Sequence, residues 1–188
     1  MNQLQVNLFG RLSVSWAGQS LTKFTTVRVR DLLAYLAVFP DLDHRREDVL
    51  LAVWGEADSD RNRLAVALYL LKRDLARIGC DLGDMLDASR ETLRLNGGAV
   101  RTDWQAFLDA TEQARRSQGS AREVFARQAV DLYAGPILPD SDAVWVWPIR
   151  SEAQVAFRES VLWLAGQEID RANPAGAQAW LARLQRTD

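Results

Sequence analysis

The sequence predicts an α+β chain in two parts: a first hundred residues that mix short strands with helices, and an all-helical remainder. Three observations carry this. "LQVNLFGRLSVSWAGQSLTKF" alternates apolar and polar residues with the period of a strand. Between Thr26 and Gly79, three stretches repeat apolar groups three and four apart, the spacing of a helix buried on one side. From Trp104 onward the helical period continues. At 188 residues and 48% hydrophobic content, the chain can bury a substantial core.

In the opening stretch, Leu4, Val6 and Leu8 share one face, and Leu12, Val14 and Trp16 share another. Gly10 and the turn Ala17-Gly18-Gln19 separate the runs, so an antiparallel meander is expected. The first helix is predicted from Val29, Leu32, Leu33, Leu36 and Ala37, with Thr26 as its N-cap and Pro40 as its end. "DLDHRREDVLLAVWG" follows as a second helix with Val49, Leu50, Val53 and Trp54 inward and Gly55 at the stop. The third spans Asp58 to Gly79, capped near Ser59 or Asp60, with Leu64, Leu68, Leu71, Leu75 and Ile78 as its buried stripe. Its outward side carries Asn62, Val66, Tyr69, Arg73 and Arg77, flanked by Arg63, Leu70 and Lys72, a mixture unlike a plain solvated face. Leu86, the polar turn Ala88-Ser89-Arg90-Glu91, and the pair Leu93 and Leu95 then read as a two-stranded hairpin. Sheet, three helices and hairpin, in that order, are the elements of a winged helix-turn-helix. In that fold the third helix faces the DNA major groove and the hairpin is the wing.

The remainder predicts "WQAFLDATEQARRS" and "AREVFARQAVDLYAG" as two amphipathic helices, the second with Val124, Phe125, Ala129, Leu132 and Tyr133 apolar. "PILPDSDAVWVWP" reads as a Pro-rich connector, "SEAQVAFRESVLWLAGQEIDRA" as a long helix, and "AGAQAWLARLQRTD" as a last one after Asn173-Pro174. Antiparallel helical pairs of this kind suggest a tetratricopeptide-like domain, although no clean repeat is visible. The expected division is residues 1–101 for the winged helix-turn-helix and 102–188 for a partial helical domain that continues beyond Asp188.

Composition narrows the function. Net charge is −2 and charged residues make up 26%, so no half is a basic module as a whole. The single Cys80 allows no intrachain disulfide and is expected to be an ordinary thiol beside a helix end. No apolar run approaches the roughly 18 residues of a membrane span, and the start lacks the pattern of a signal peptide. A cytoplasmic protein without membrane contact is expected. His44, beside Arg45 and Arg46, has no second His or Cys at ligand spacing and is expected at the surface or in a cap. "NGGAV" lacks the Lys-Ser/Thr of a phosphate loop. Asp58 and Asp60 read as helix-start residues, and Trp145 and Trp147 as packing groups. No catalytic constellation, metal site or cofactor site is expected, and so no enzyme.

"LLAYLAVFP", "RREDVLLAVWGEAD", "RNRLAVALYLLKRDL", "LYAGPILPD" and "WVWPIR", in this order, resemble the antibiotic-regulatory-protein (SARP) type of bacterial transcription activator. Leu32 to Ala37 fit that family's first helix, Arg46 and Trp54 its second, and Asn62, Leu64, Val66, Leu68, Leu71 and Leu75 its third. Leu132 to Pro136 match its Leu-Tyr-x-Gly-Pro turn, and Trp145 with Arg150 its Trp-to-Arg spacing. The resemblance covers nearly the whole chain. It implies a response-regulator-type winged helix joined to a bacterial transcriptional activator domain, binding double-stranded promoter DNA, as a homodimer on direct repeats, and recruiting RNA polymerase. By motif position, Asn62, Val66, Tyr69 and Arg73 would face base edges. Arg63, Lys72 and Arg77 would find phosphate, and Arg90 would be the wing contact. Asn and Arg read adenine and guanine edges, and Val packs on a thymine methyl. Tyr69 and Leu70 depart from the family, which more often has small polar or basic residues there. The alternative is a degenerate winged helix that uses Val66, Tyr69 and Leu70 to bind protein. Trp145 and Arg150 are expected to tie the connector to the helix that follows.

Overall fold

The computed structural model describes residues 3–55 and 61–185. Strands β1 (Leu4–Asn7), β2 (Ser13–Trp16) and β3 (Gln19–Leu21) form the expected meander, and α1 (Val27–Val38) follows. The hydroxyl of Thr26 accepts from the Val29 amide at 3.2 Å, which satisfies one of the unpaired donors at the start of α1. The whole predicted stripe of α1, from Val29 to Ala37, is buried. Then come β4 (His44–Arg45), α2 (Arg46–Trp54), α3 (Arg61–Ala76), β5 (Leu86–Ala88), β6 (Thr92–Leu95) and β7 (Val100–Thr102). Gly55, at φ +77°, ends α2 in the left-handed conformation that favours glycine. The predicted cap at Ser59 or Asp60, and Asp58, lie outside the described residues.

Two sheets result, one more complex than the sequence suggested and one wider. The first has the order β3-β2-β1-β7, with β7 parallel to β1. The second has the order β4-β6-β5, so the wing is a three-stranded sheet and not a simple hairpin. The added strand corrects the reading of His44. Strand alternation turns Arg45 outward and His44 inward, where it is only 3% exposed. Its Nε2 lies 3.0 Å from the Phe39 carbonyl, and its ring centroid is 4.9 Å from that of Tyr35. His44 is therefore a core residue with a hydrogen-bond partner, not a surface or capping group.

The helical part consists of α4 (Asp103–Arg116), α5 (Gly119–Leu132), α6 (Val146–Asp170) and α7 (Pro174–Leu184), each packed on the next. Three local readings change. Val124 is 62% exposed, because α5 buries Ala126, Ala129 and Val130 instead, small residues that let its neighbours approach. The long helix starts at Val146, ahead of its expected start at Ser151. Pro148 fits inside its first turn, where the missing N–H has no intrahelical partner to lose. Trp54 and Leu68 are half-buried, not fully inward.

The core runs without a break from the first strands into the helical part. Phe9 sits at the join, with ring centroids 5.2 Å from Phe107 and 5.1 Å from Tyr133. The carboxylate of Asp103 accepts from the amides of Leu8, at 2.7 Å, and Phe9, at 3.1 Å. Burial raises the pKa of this carboxyl, and the backbone donors act in the opposite direction. Arg150 holds the loop after α5. Its guanidinium donates to the carbonyls of Ile137 (2.7 Å), Leu138 and Ser141 (2.9 Å). Leu138 is buried in the left-handed region at φ +46°, and its amide donates to Leu8. Arg150 thus fixes a strained loop against β1's end, the structural role expected of it. Trp145 packs edge-on against Tyr35, 5.3 Å between centroids, as expected of a packing group. Its Nε1 is buried without a hydrogen-bond partner among the described residues.

Candidate nucleic-acid interface

Helix α3 lies on the core through Leu64, Ala67, Leu71 and Leu75; it ends at Ala76, short of the expected Gly79, so that Arg77 and the buried Ile78 belong to the turn after it. That leaves Asn62, Arg63, Val66, Tyr69, Lys72, Arg73 and Arg77 exposed, with Leu70 half-buried beside them. Val66 is 56% and Tyr69 66% exposed, so two large weakly polar groups project between the polar ones. Together with Leu70, Ala67, Val29 and Trp54, Val66 lines an apolar cleft of about 380 Å³ between α3 and the first two helices.

The second half of this face is tied to the protein's own chain. Buried Asp74 accepts from the amide of Thr25 at 2.6 Å and from its hydroxyl at 2.7 Å. Arg73 donates to the same hydroxyl at 3.1 Å, and Arg77 stands 3.8 Å from Asp74. Lys72 stands 3.5 Å from Asp81, whose carboxyl is held below its ordinary pKa by the Gly83 amide and then by Lys72. The contacts with Thr25 fasten the end of α3 to the approach to α1, and the Lys72–Asp81 pair ties it to the loop that follows. The apolar groups Val66 and Tyr69 belong to the first half.

The wing is built around Ser89, whose hydroxyl accepts from the amides of Glu91 and Thr92 at 3.1 and 2.9 Å. Arg46 anchors the turn to α2 by donating to the Ser89 carbonyl at 3.0 Å. Arg90 is exposed at its tip. A groove of about 480 Å³ runs between the start of α2 and this turn, lined by Arg45, Arg46 and Arg90 among others. Arg45 was absent from the expected site. Its signal was the alternation His44-in, Arg45-out, legible only once these residues are known to be a strand.

Cys80 is buried, and burial with Asp81 and Asp84 nearby pushes its thiol up to about 11, far from a reactive thiolate. Among the described residues no group of three His, Cys, Asp or Glu side chains could hold a metal ion. No described helix is long and apolar enough to cross a membrane.

The architecture has been seen before. A solved structure, Mycobacterium tuberculosis EmbR in complex with a low affinity phosphopeptide, matches 98% of this chain with a TM-score of 0.79 at 20% identity. The match covers 50% of that chain, so this protein spans about half the length of its structural neighbour. The likeness shows that the mixed α+β arrangement with a helical second part is shared with that structure, and it fits a winged-helix part followed by a helical part. No protein-family model and no curated protein matches the sequence.

Proposed function

We propose that the chain is a sequence-specific DNA-binding transcriptional regulator of the SARP type, acting as an activator. The observation that carries this is the outward face of α3, with Asn62, Val66 and Tyr69 exposed in a fold whose wing presents Arg90. The sequence resemblance and the fold shared with EmbR support it. In this reading α3 enters the major groove and its first half reads base edges through Asn62, Val66 and Tyr69. Arg63, Lys72, Arg73, Arg77 and Arg90 contact phosphate, with Arg45 beside the wing. The bond from Arg73 to Thr25 favours phosphate over a base for Arg73. Residues 1–101 form the DNA-binding unit. Residues 102–188 form part of a tetratricopeptide-like activator domain that contacts RNA polymerase, and two copies bind direct repeats. A selection from genomic DNA fragments at low salt tests the reading. One recurrent motif, bound with an affinity that falls steeply as salt rises, is the expected result.

A second reading has its own observation. Val66 and Tyr69 are exposed beside an apolar cleft, and the basic residues of the second half already have partners within the chain. That is the surface of a winged helix used to bind protein. Failure to enrich any DNA at low salt, with the fold intact, would favour it.

A further inference from the structure

A second cavity, which shares Arg28 and Trp54 with the cleft beside α3, has the make-up of a small-molecule site. It holds about 570 Å³ where α1, α2 and the connector before α6 meet. That size falls within the roughly 300–1,000 Å³ of drug-sized ligand pockets. Three aromatic side chains line it: Tyr35 from α1, Trp54 from α2 and Trp145 from the connector. Leu51 of α2 and Val144 of the connector, both well exposed, also line it and leave apolar surface open to solvent. The polar groups are Asp48, Asp142 and Arg28. Arg28 is already engaged, since its Nη1 donates to the Val53 carbonyl at 2.6 Å. The negative charge of Asp48 is felt inside the cavity. After burial, it is the second cause that raises the pKa of the Tyr35 hydroxyl.

We propose that this cavity binds a small aromatic amine in its cationic form. The rings of Tyr35, Trp54 and Trp145 supply faces for an aromatic body and for cation–π attraction, which is strongest at tryptophan. Asp48 and Asp142 attract the ammonium and outnumber Arg28, which keeps its positive charge while its guanidinium is held by the Val53 carbonyl at the end of α2. Two walls come from the winged part and one from the helical part, so the occupant bridges the two. Trp54 and Arg28 also line the cleft beside Val66 and Asn62, so Trp54 is the side chain through which occupancy reaches α3. Binding itself does not depend on whether α3 reads DNA.

Titration of the full chain with 2-naphthylmethylamine, 2-naphthalenemethanol and 2-naphthylacetate, followed by tryptophan fluorescence and by thermal shift, tests the proposal. The amine is expected to bind saturably and about tenfold more tightly than the carboxylate, with the alcohol between them. The double variant Asp48→Asn, Asp142→Asn is expected to erase the preference for the amine while leaving the alcohol unchanged. Leu51→Arg alters an exposed residue at the mouth, leaves folding unaffected, and is expected to abolish amine binding. Equal binding of amine and carboxylate, no saturable binding, or unchanged amine binding in both variants would overturn the proposal. The last of these outcomes would place the ligand elsewhere.

Discussion

Arg150 and Arg171 stand near opposite ends of α6, and the chain uses them differently. Arg150 lies at the join with the winged part and donates to three backbone carbonyls of one loop. Arg171 lies at the far end, half open to solvent, and pairs with Glu123 and Glu168. Glu168 also lies 3.6 Å from Arg127 and accepts from Asn173 at 2.7 Å, so α5, α6 and α7 meet in one ionic cluster. The difference lies in what is left behind when each arginine is removed. Without Arg150, carbonyls in a buried loop lose their donor and have no ready substitute. Without Arg171, neither carboxylate is left alone, because Glu123 keeps Arg127, and Glu168 keeps Arg127 and Asn173.

The largest effect is expected at Arg150. Arg150→Ala should destabilise by about 3 kcal/mol in urea unfolding, and Arg150→Lys should recover only part, because an ammonium cannot span three acceptors as a planar guanidinium does. A loss of a few tenths would break the contrast. Next comes Asp103→Ala, which strips the amides of Leu8 and Phe9 of their acceptor and should cost about 2 kcal/mol. Trp145→Phe is smaller again. It keeps the ring contacts with Tyr35 and Phe39 and removes an indole N–H that has no acceptor, so the net change should stay within about 1 kcal/mol. A large loss would mean that the indole matters for its bulk alone.

The smallest expected effect is in the ionic cluster where α5 meets the far end of α6. Hydrogen bonds from Arg171 and then Arg127 hold the carboxyl of Glu123 well below its ordinary value of 4.5, at about 2. A folded-state pKa lowered in this way contributes stability that is present above the unfolded value and is lost as pH falls toward about 2. Melting temperatures followed downward from pH 5 should therefore converge between the wild-type chain and Glu123→Gln. A constant gap across that range would show that the cluster acts through packing and not through charge.

What could be read in the sequence follows the same line between local and distant. Helix α1 was legible because its stripe and its cap lie within one stretch, and Arg150 because its carbonyl partners lie only a short loop away. The burial of His44 was hidden, since it depends on β4 pairing with β6 across the whole of α2 and α3. Strand β7 is three residues long and owes its place to β1 at the other end of the winged part. Pro148 misled because proline marks a break in most positions but is accepted in a first helical turn. For the α3 face, the sequence identified which side chains point outward. It could not reveal that Thr25 and Asp74 hold the basic end, because Thr25 reaches α3 only through tertiary packing.

Strand β1 lies between β2 and β7, and Leu4 is paired with Val100. A ribosome delivers β2 soon after β1, but β7 only after the three helices and the wing. Until then one edge of β1 is open to the solvent and to any other strand. Contacts this far apart in the chain also slow folding, because the loop must close before the pairing is made. Strand β1 is thus completed only after the wing has been made, and until then its open edge is a place where nascent chains could pair with one another.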